Sequence, residues 1–147
     1  MNNEDIKLLL VDLSARLTYG VKIQKINEPE SAYRLYSIDT DSGKLKFVTF
    51  EGSSLSIGDG GYLVRAGKLR FKPYLRPMSS MTIEEFKEWL GYCKADYDCE
   101  FKPEPTFNFE SCHLSINWLN QHHFDYRGLI EKGFALEAPE GMYMKGE

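Results

Sequence analysis

The side chains able to perform chemistry gather in three stretches of this 147-residue chain. In the first, all three cysteines and all three histidines lie between Cys93 and His123. Cys93, Cys99, Cys112, His113, His122 and His123 together offer enough thiolate and imidazole donors for a four-coordinate zinc ion. The spacing argues against it. Structural zinc sites use a close cysteine pair, and five residues separate Cys93 from Cys99. Cys93 also suits the inner face of a helix, where a free cysteine behaves as a small hydrophobe. Nucleophilic catalysis needs a thiolate or hydroxyl held against a base. Cys112 and His113 are adjacent, but consecutive helical residues point about 100° apart. The chain has no P-loop, dinucleotide fingerprint, nucleophile elbow or HExxH run. The glycines of Ser56–Gly61 lead into a strand pattern rather than a helix N-terminus, so they read as a turn and not a phosphate cradle. Glu84, Glu85 and Glu88 read as a solvated helix face. The expectation is a protein without catalytic residues, metal or cofactor.

The second stretch is basic. Residues 61–77 carry Arg65, Lys68, Arg70, Lys72 and Arg76 and no acid, although the chain as a whole has 18 Lys+Arg against 22 Asp+Glu. Tyr62, Phe71 and Tyr74 are interleaved with these charges. Cations neutralise phosphates and aromatic faces stack on unpaired bases, so Arg65, Lys68, Arg70, Lys72, Tyr74 and Arg76 are candidate contacts for single-stranded nucleic acid. A strand from Lys68 sends Lys68, Arg70 and Lys72 to one face and Leu69 and Phe71 to the other. That pattern equally suits a solvated strand face or an edge protected by charge. The segment from residue 78 onward carries thirteen acids and six bases, so the basic face could also answer charge within the same molecule.

The third stretch is His122-His123-Phe124-Asp125-Tyr126-Arg127. Tyrosine and arginine are favoured at protein interfaces, which makes His122, His123, Tyr126 and Arg127 candidate protein-interaction residues. The same residues suit architecture, with Asp125 capping a helix and Phe124 filling the core.

The elements that must hold these residues follow from period. Ile6, Leu9, Leu10, Leu13 and Leu17 recur as one helical face behind an asparagine cap, predicting a helix over about 4–17 that stops at Gly20. Val21, Ile23 and Ile26 predict a first strand. Alternation over 33–38 and 45–49, around the turn formers Asp39–Gly43, predicts a hairpin. Gly58–Gly61 reads as a turn, Ala66-Gly67 as a tight turn, and Pro73 and Pro77 as the end of the strand region. Thr82 and Glu85 form a capping box, with Met81 and Phe86 placed for a hydrophobic staple. They open a helix over about 83–94, whose inner face is Ile83, Phe86, Leu90 and Cys93 with Trp89 at its edge. Residues 95–110 read as a loop. A third helix is expected over about 112–122, a fourth over 126–132, and an extended piece at Phe134-Ala135-Leu136.

Hydrophobic residues make up 42% of the chain and charged residues 27%, as in a globular protein with one core over residues 1–147. The longest apolar run, Leu8–Val11, is far below the roughly 20 residues that cross a bilayer. The polar start MNNEDIK lacks a secretory signal, and an odd cysteine count disfavours a disulfide framework. A cytoplasmic location without membrane contact is expected.

Three segments carry a resemblance: Arg16–Val21, Lys72–Thr82, and the C-terminal run HHFDYRGLIEKGFALEAPEGMY. They resemble an uncharacterised family of small proteins from gut-bacterial genomes, often within prophages or other mobile elements. The resemblance implies a phage or host-interaction role and brings no activity, cofactor or site residue. The expected fold is α+β: an N-terminal helix, a small antiparallel sheet or partly open SH3-like barrel, then C-terminal helices. The expected function is a non-enzymatic interaction module for an unknown protein partner, with single-stranded nucleic-acid binding through residues 61–77 as the alternative.

Overall fold

A computed structural model describes residues 2–51, 54–99 and 113–143. The chain opens with helix α1, Asn3–Arg16, capped by Asn2, whose side chain accepts from the Asp5 amide at 2.8 Å. Gly20 then turns the chain with φ +74°. Among the described residues eight strands follow, broken by a helix pair: β1 Lys22–Lys25, β2 Tyr33–Ile38, β3 Lys44–Glu51, β4 Ser54–Tyr62, β5 Val64–Arg65, β6 Lys68–Leu69, β7 Phe71–Leu75 and β8 Leu136–Glu137. The helices are α2, Ile83–Cys99, and α3, His113–Gln121. The fold is α+β, as the sequence implied. Its six-stranded sheet has the order β4-β3-β2-β1-β7-β8, and β7 pairs β8 in parallel, so the sheet is mixed and does not close into a barrel.

One face of the sheet is the core. Ile23, Leu35, Leu45, Phe47 and Phe71 pack there against Leu9 and Leu13 of α1. The β5–β6 hairpin joins β4 to β7 and adds Leu63, Val64 and Leu69 to the same cluster. At its tip, Ala66 and Gly67 both take positive φ, as a two-residue type I′ turn requires.

Two β-bulges set which side chains face outward. In β2, Leu35 opposes Phe47 and Ser37 opposes Lys46, leaving Tyr36 as the extra residue. Leu35 and Ile38 can therefore both turn toward the core, while Tyr36 and Ser37 face away with Lys46. In β4 the shift falls at Gly60, where a Cβ would lie 2.3 Å from the Phe47 ring. The turn expected at Gly58–Gly61 is thus a strand, because the glycine serves close approach of that ring rather than chain reversal.

Pro73 also lies inside a strand instead of ending one. In β7 the carbonyl of Leu75 accepts from Ala138 on the β8 side, so odd-numbered residues of β7 turn their backbone polar groups away from β1. The missing N–H of Pro73 therefore faces the stretch that β8, beginning opposite Tyr74, does not reach. The strand expected to run unbroken from Lys68 to Lys72 is split at Arg70, where the chain leaves β5 and joins β1.

The capping box stands: Glu85 N–H donates to Thr82 Oγ1 and Thr82 N–H to Glu85 Oε1, both at 3.1 Å. The face of α2 differs from expectation. Trp89 and Cys93 are partly buried, whereas Ile83, Phe86 and Leu90 are exposed. The expected helix over 126–132 is a series of turns. Asp125 does accept from the amides of Leu129 and Ile130, but the next bonds (Lys132 to Gly128, Gly133 to Ile130, Phe134 to Leu129) differ in span and build no regular helix. No helix among the described residues is long and apolar enough to cross a membrane.

Candidate functional site

Two groupings of polar side chains stand out, one sealed and one open. The sealed one is built on α1, where Asp12 and Arg16 lie one turn apart and are fully buried. Arg16 Nε donates to Asp12 Oδ2 at 3.0 Å, and Arg16 Nη2 donates to Asp12 Oδ1 at 3.1 Å and to the Phe124 carbonyl at 2.6 Å. Arg127 Nη1 reaches the same Oδ1 at 2.6 Å. One carboxylate thus serves two guanidiniums, in an interior where an uncompensated charge is costly.

The segment 122–127 is folded into this cluster. His122 packs its ring on Trp118 (centroids 4.2 Å apart), and Phe124 stacks on Trp118 (centroids 5.7 Å apart) beneath the Arg76 guanidinium. Tyr126 Oη donates to Asn120 Oδ1 at 2.8 Å, and burial raises its pKa. His123 takes a left-handed φ of +62°, unusual for a side chain larger than glycine, and is 4% exposed. Burial first, then the charge of Arg16, push its pKa down to about 3, with a bond to the Tyr19 backbone opposing them. Its ring stacks on Tyr143 with centroids 3.7 Å apart. The Tyr143 hydroxyl in turn enters the sheet. The direct β1–β7 ladder ends at Ile23 opposite Pro73; one step on, Tyr143 Oη accepts from Lys22 N–H at 2.8 Å and donates to Tyr74 O at 2.7 Å. Burial raises the pKa of that hydroxyl, which keeps it a donor.

Of the candidate interaction residues, then, His123 is buried, Tyr126 and Arg127 are partly buried and bonded inward, and His122 is partly covered by Trp118. Two of the candidate nucleic-acid contacts are also engaged internally. Tyr74 is buried, with its hydroxyl donating to Ser31 O at 2.9 Å. Arg76 makes a two-pronged pair with Glu85 (2.8 and 2.7 Å), which lowers the Glu85 pKa from 4.5 to about 2. Arg65, Lys68 and Arg70 are exposed around the β5–β6 hairpin, and Lys72 is partly exposed on β7.

The open grouping was not visible as a run of sequence. It is the outer face of the sheet, and register assembles it. Lys22 of β1 lies directly opposite Arg34 of β2, and Arg34 opposite Val48 of β3. Lys44 and Lys46 share the Val48 face of β3, and Lys44 stands opposite Tyr62 of β4. Gln24 of β1 faces Lys72 of β7. Tyr36 and Tyr62, on this face, are about half exposed, at 49% and 50%. Five cations from four strands therefore share one surface: Lys22, Arg34, Lys44, Lys46 and Lys72. None makes an ion pair with a described residue; Lys22 Nζ donates only to the Met142 carbonyl, at 3.3 Å. On the hairpin, Arg65 and Lys68 repeat the motif, directly opposite each other. Like charges in that position repel, at a cost of a few tenths of a kcal/mol to about 1 kcal/mol.

An open groove of about 520 Å³ is lined by Glu28, Pro29, Glu30, Ser31 and Tyr33, but Glu28 is occupied by the Tyr33 hydroxyl at 2.7 Å. That bond is the chief cause of a raised Tyr33 pKa. Cys112 and the side chain of Cys99 lie outside the described residues, and no group of three or more His, Cys, Asp or Glu side chains gathers among those described. Comparison of the chain with protein-family models, with curated proteins and with solved structures found no match.

Proposed function

We propose that this protein is a non-enzymatic binding module whose partner is a nucleic acid, held by its phosphates on the outer face of the sheet. The observation that carries this reading is the juxtaposition of Lys22 and Arg34, with Lys44, Lys46 and Lys72 on the same face and no ion pair to any described carboxylate, in a chain of net charge −4. Register sets Asp59 of β4 opposite Lys46, but Lys22, Arg34, Lys44 and Lys72 stand opposite no acid, and a face with that surplus of cations in a chain with a surplus of acids suits a polyanion. The basic hairpin at Arg65 and Lys68 supports the same reading, and the resemblance to prophage-borne proteins fits a phage or host-interaction role.

The test is fluorescence anisotropy with labelled oligonucleotides over a salt series. Affinity should fall steeply with salt, and Arg34→Ala with Lys46→Ala should reduce the log–log slope by roughly 1.4, about 0.7 for each lost contact with a single strand. Undetectable binding to both DNA and RNA at low salt refutes the proposal.

A second reading, a protein-interaction module, is favoured by the exposed apolar stripe of α2, where Ile83 is 72% exposed beside Phe86 and Leu90. Ile83→Glu with Leu90→Lys separates the two readings: nucleic-acid affinity should be unchanged if the sheet is the binding surface.

A further inference from the structure

Resting on the nucleic-acid reading, we infer that Tyr36 and Tyr62 are base-stacking platforms, so that the outer face of the sheet selects single strands over duplexes. Tyrosine is a large amphipathic side chain, and strand positions on a core-forming sheet normally bury it or leave it singly exposed. Here two are held half-exposed on one face: Tyr36 by the alternation of β2, and Tyr62 by the register shift of β4 at Gly60.

Tyr36 is the extra residue of the β2 bulge. In an unbulged strand, the two-residue period that points Leu35 inward would point Tyr36 outward, Ser37 inward and Ile38 to solvent. The bulge restores Ile38 to the core and gives Tyr36 and Ser37 together to the outer face, across from Lys46. Tyr62 closes β4 opposite Lys44, directly after the glycine pair whose first member admits the Phe47 ring. The two tyrosines therefore stand on either side of β3, two strand spacings (about 10 Å) apart across the sheet and offset by two to three residues (~7–8 Å) along it. Between them run Lys44 and Lys46, with Arg34 and Lys22 beyond.

Cations between exposed aromatic faces fit a flexible strand whose backbone crosses the lysines while its bases turn onto the rings. A duplex keeps its bases stacked on one another and offers only phosphate to such a surface, so it gains nothing from the tyrosines. Stacking is indifferent to base identity, because every base has a π-face, and the surface carries few groups placed to read base edges. The expected ligand is a short single strand with little sequence preference.

Three ligands decide the matter in one titration: a mixed-sequence single strand, the same strand as a duplex, and an abasic strand of equal length and charge. With the wild-type protein the single strand should bind most tightly. Tyr36→Ala with Tyr62→Ala should weaken it by about tenfold per ring, leaving the salt slope unchanged because no charge is removed. Tyr36→Phe with Tyr62→Phe should restore affinity to within about twofold, since the ring and not the hydroxyl stacks. Circular dichroism on each variant confirms that the fold is intact. Salt-dependent binding that is equal for the three ligands, or unchanged by the alanine pair, overturns the stacking inference while leaving the phosphate reading standing. Failure of all three ligands to bind the folded wild-type protein at low salt overturns both.

Discussion

Charge is handled in opposite ways on the two sides of this sheet. Inside, Asp12 is shared by Arg16 and Arg127 at hydrogen-bond distance, and Arg16 also donates to the Phe124 carbonyl. Outside, Lys22 and Arg34 face each other directly and neither has a described carboxylate partner. The contrast follows from solvent. A buried charge must be paired, because its desolvation penalty amounts to several kcal/mol, whereas an exposed like-charge pair costs little in water and less in salt. The interior cluster is therefore architecture, tying α1 to the 122–127 segment. The outer face leaves Lys22 and Arg34 without a described carboxylate partner, and it is the surface we propose for an anionic partner.

Breaking the interior should have the largest effect. Arg16→Ala leaves Asp12 buried with one partner and leaves the Phe124 carbonyl only its 3.2 Å bond from the Tyr126 amide; a loss of about 3–5 kcal/mol is expected in urea denaturation. The outer-face counterpart, Arg34→Ala, should change stability by no more than about 0.5 kcal/mol, and in the stabilising direction because it relieves repulsion with Lys22. Comparable losses for the two would erase the distinction.

Acid should expose the interior next. The folded state holds the His123 pKa at about 3, far below its ordinary value of 6.5. Above about pH 6.5 neither state is protonated and His123 has no effect on stability. As pH falls, the unfolded chain takes up a proton that the folded one refuses. Stability should then drop by up to about 1.4 kcal/mol per pH unit, levelling near pH 3. His123→Asn, which tolerates the left-handed backbone, should flatten that slope in melts from pH 7 to 4. The Arg76–Glu85 pair acts in a different window: its contribution is present above about pH 4.5 and is lost as pH falls through about 2.

A smaller effect is expected at the join between the two regions. Tyr143→Phe removes the hydroxyl that links Lys22 N–H to Tyr74 O. About 1–2 kcal/mol should be lost, with faster hydrogen exchange at the Lys22 amide.

The sequence disclosed what depends on local signals. The α1 period, the Asp39–Gly43 hairpin and the Thr82–Glu85 capping box are all written within a few residues of one another, and all are present. It misled where a residue answers to something distant. Gly60 looked like a turn but makes room for Phe47, and Pro73 looked like a strand end because the reach of β8 cannot be read from β7. The basic run was conspicuous only because its charges are consecutive, and the fold disperses them: Arg76 to Glu85, Arg65 and Lys68 to a hairpin, Lys72 to the sheet. The outer face escaped notice for the converse reason, since its cations come from four strands and become neighbours only through register. The i, i+4 spacing of Asp12 and Arg16 on the Leu9–Leu13 side of α1 was the one legible hint of the buried cluster.

The most direct test of that division is the salt dependence of Kd for an unstructured oligonucleotide, measured side by side on the wild type and on Arg34→Ala/Lys46→Ala. The account predicts tight low-salt binding, a steep decline with salt, and a slope shallower by roughly 1.4 in the variant at unchanged stability. An oligonucleotide that does not bind, or binds with the same slope to both proteins, would contradict it.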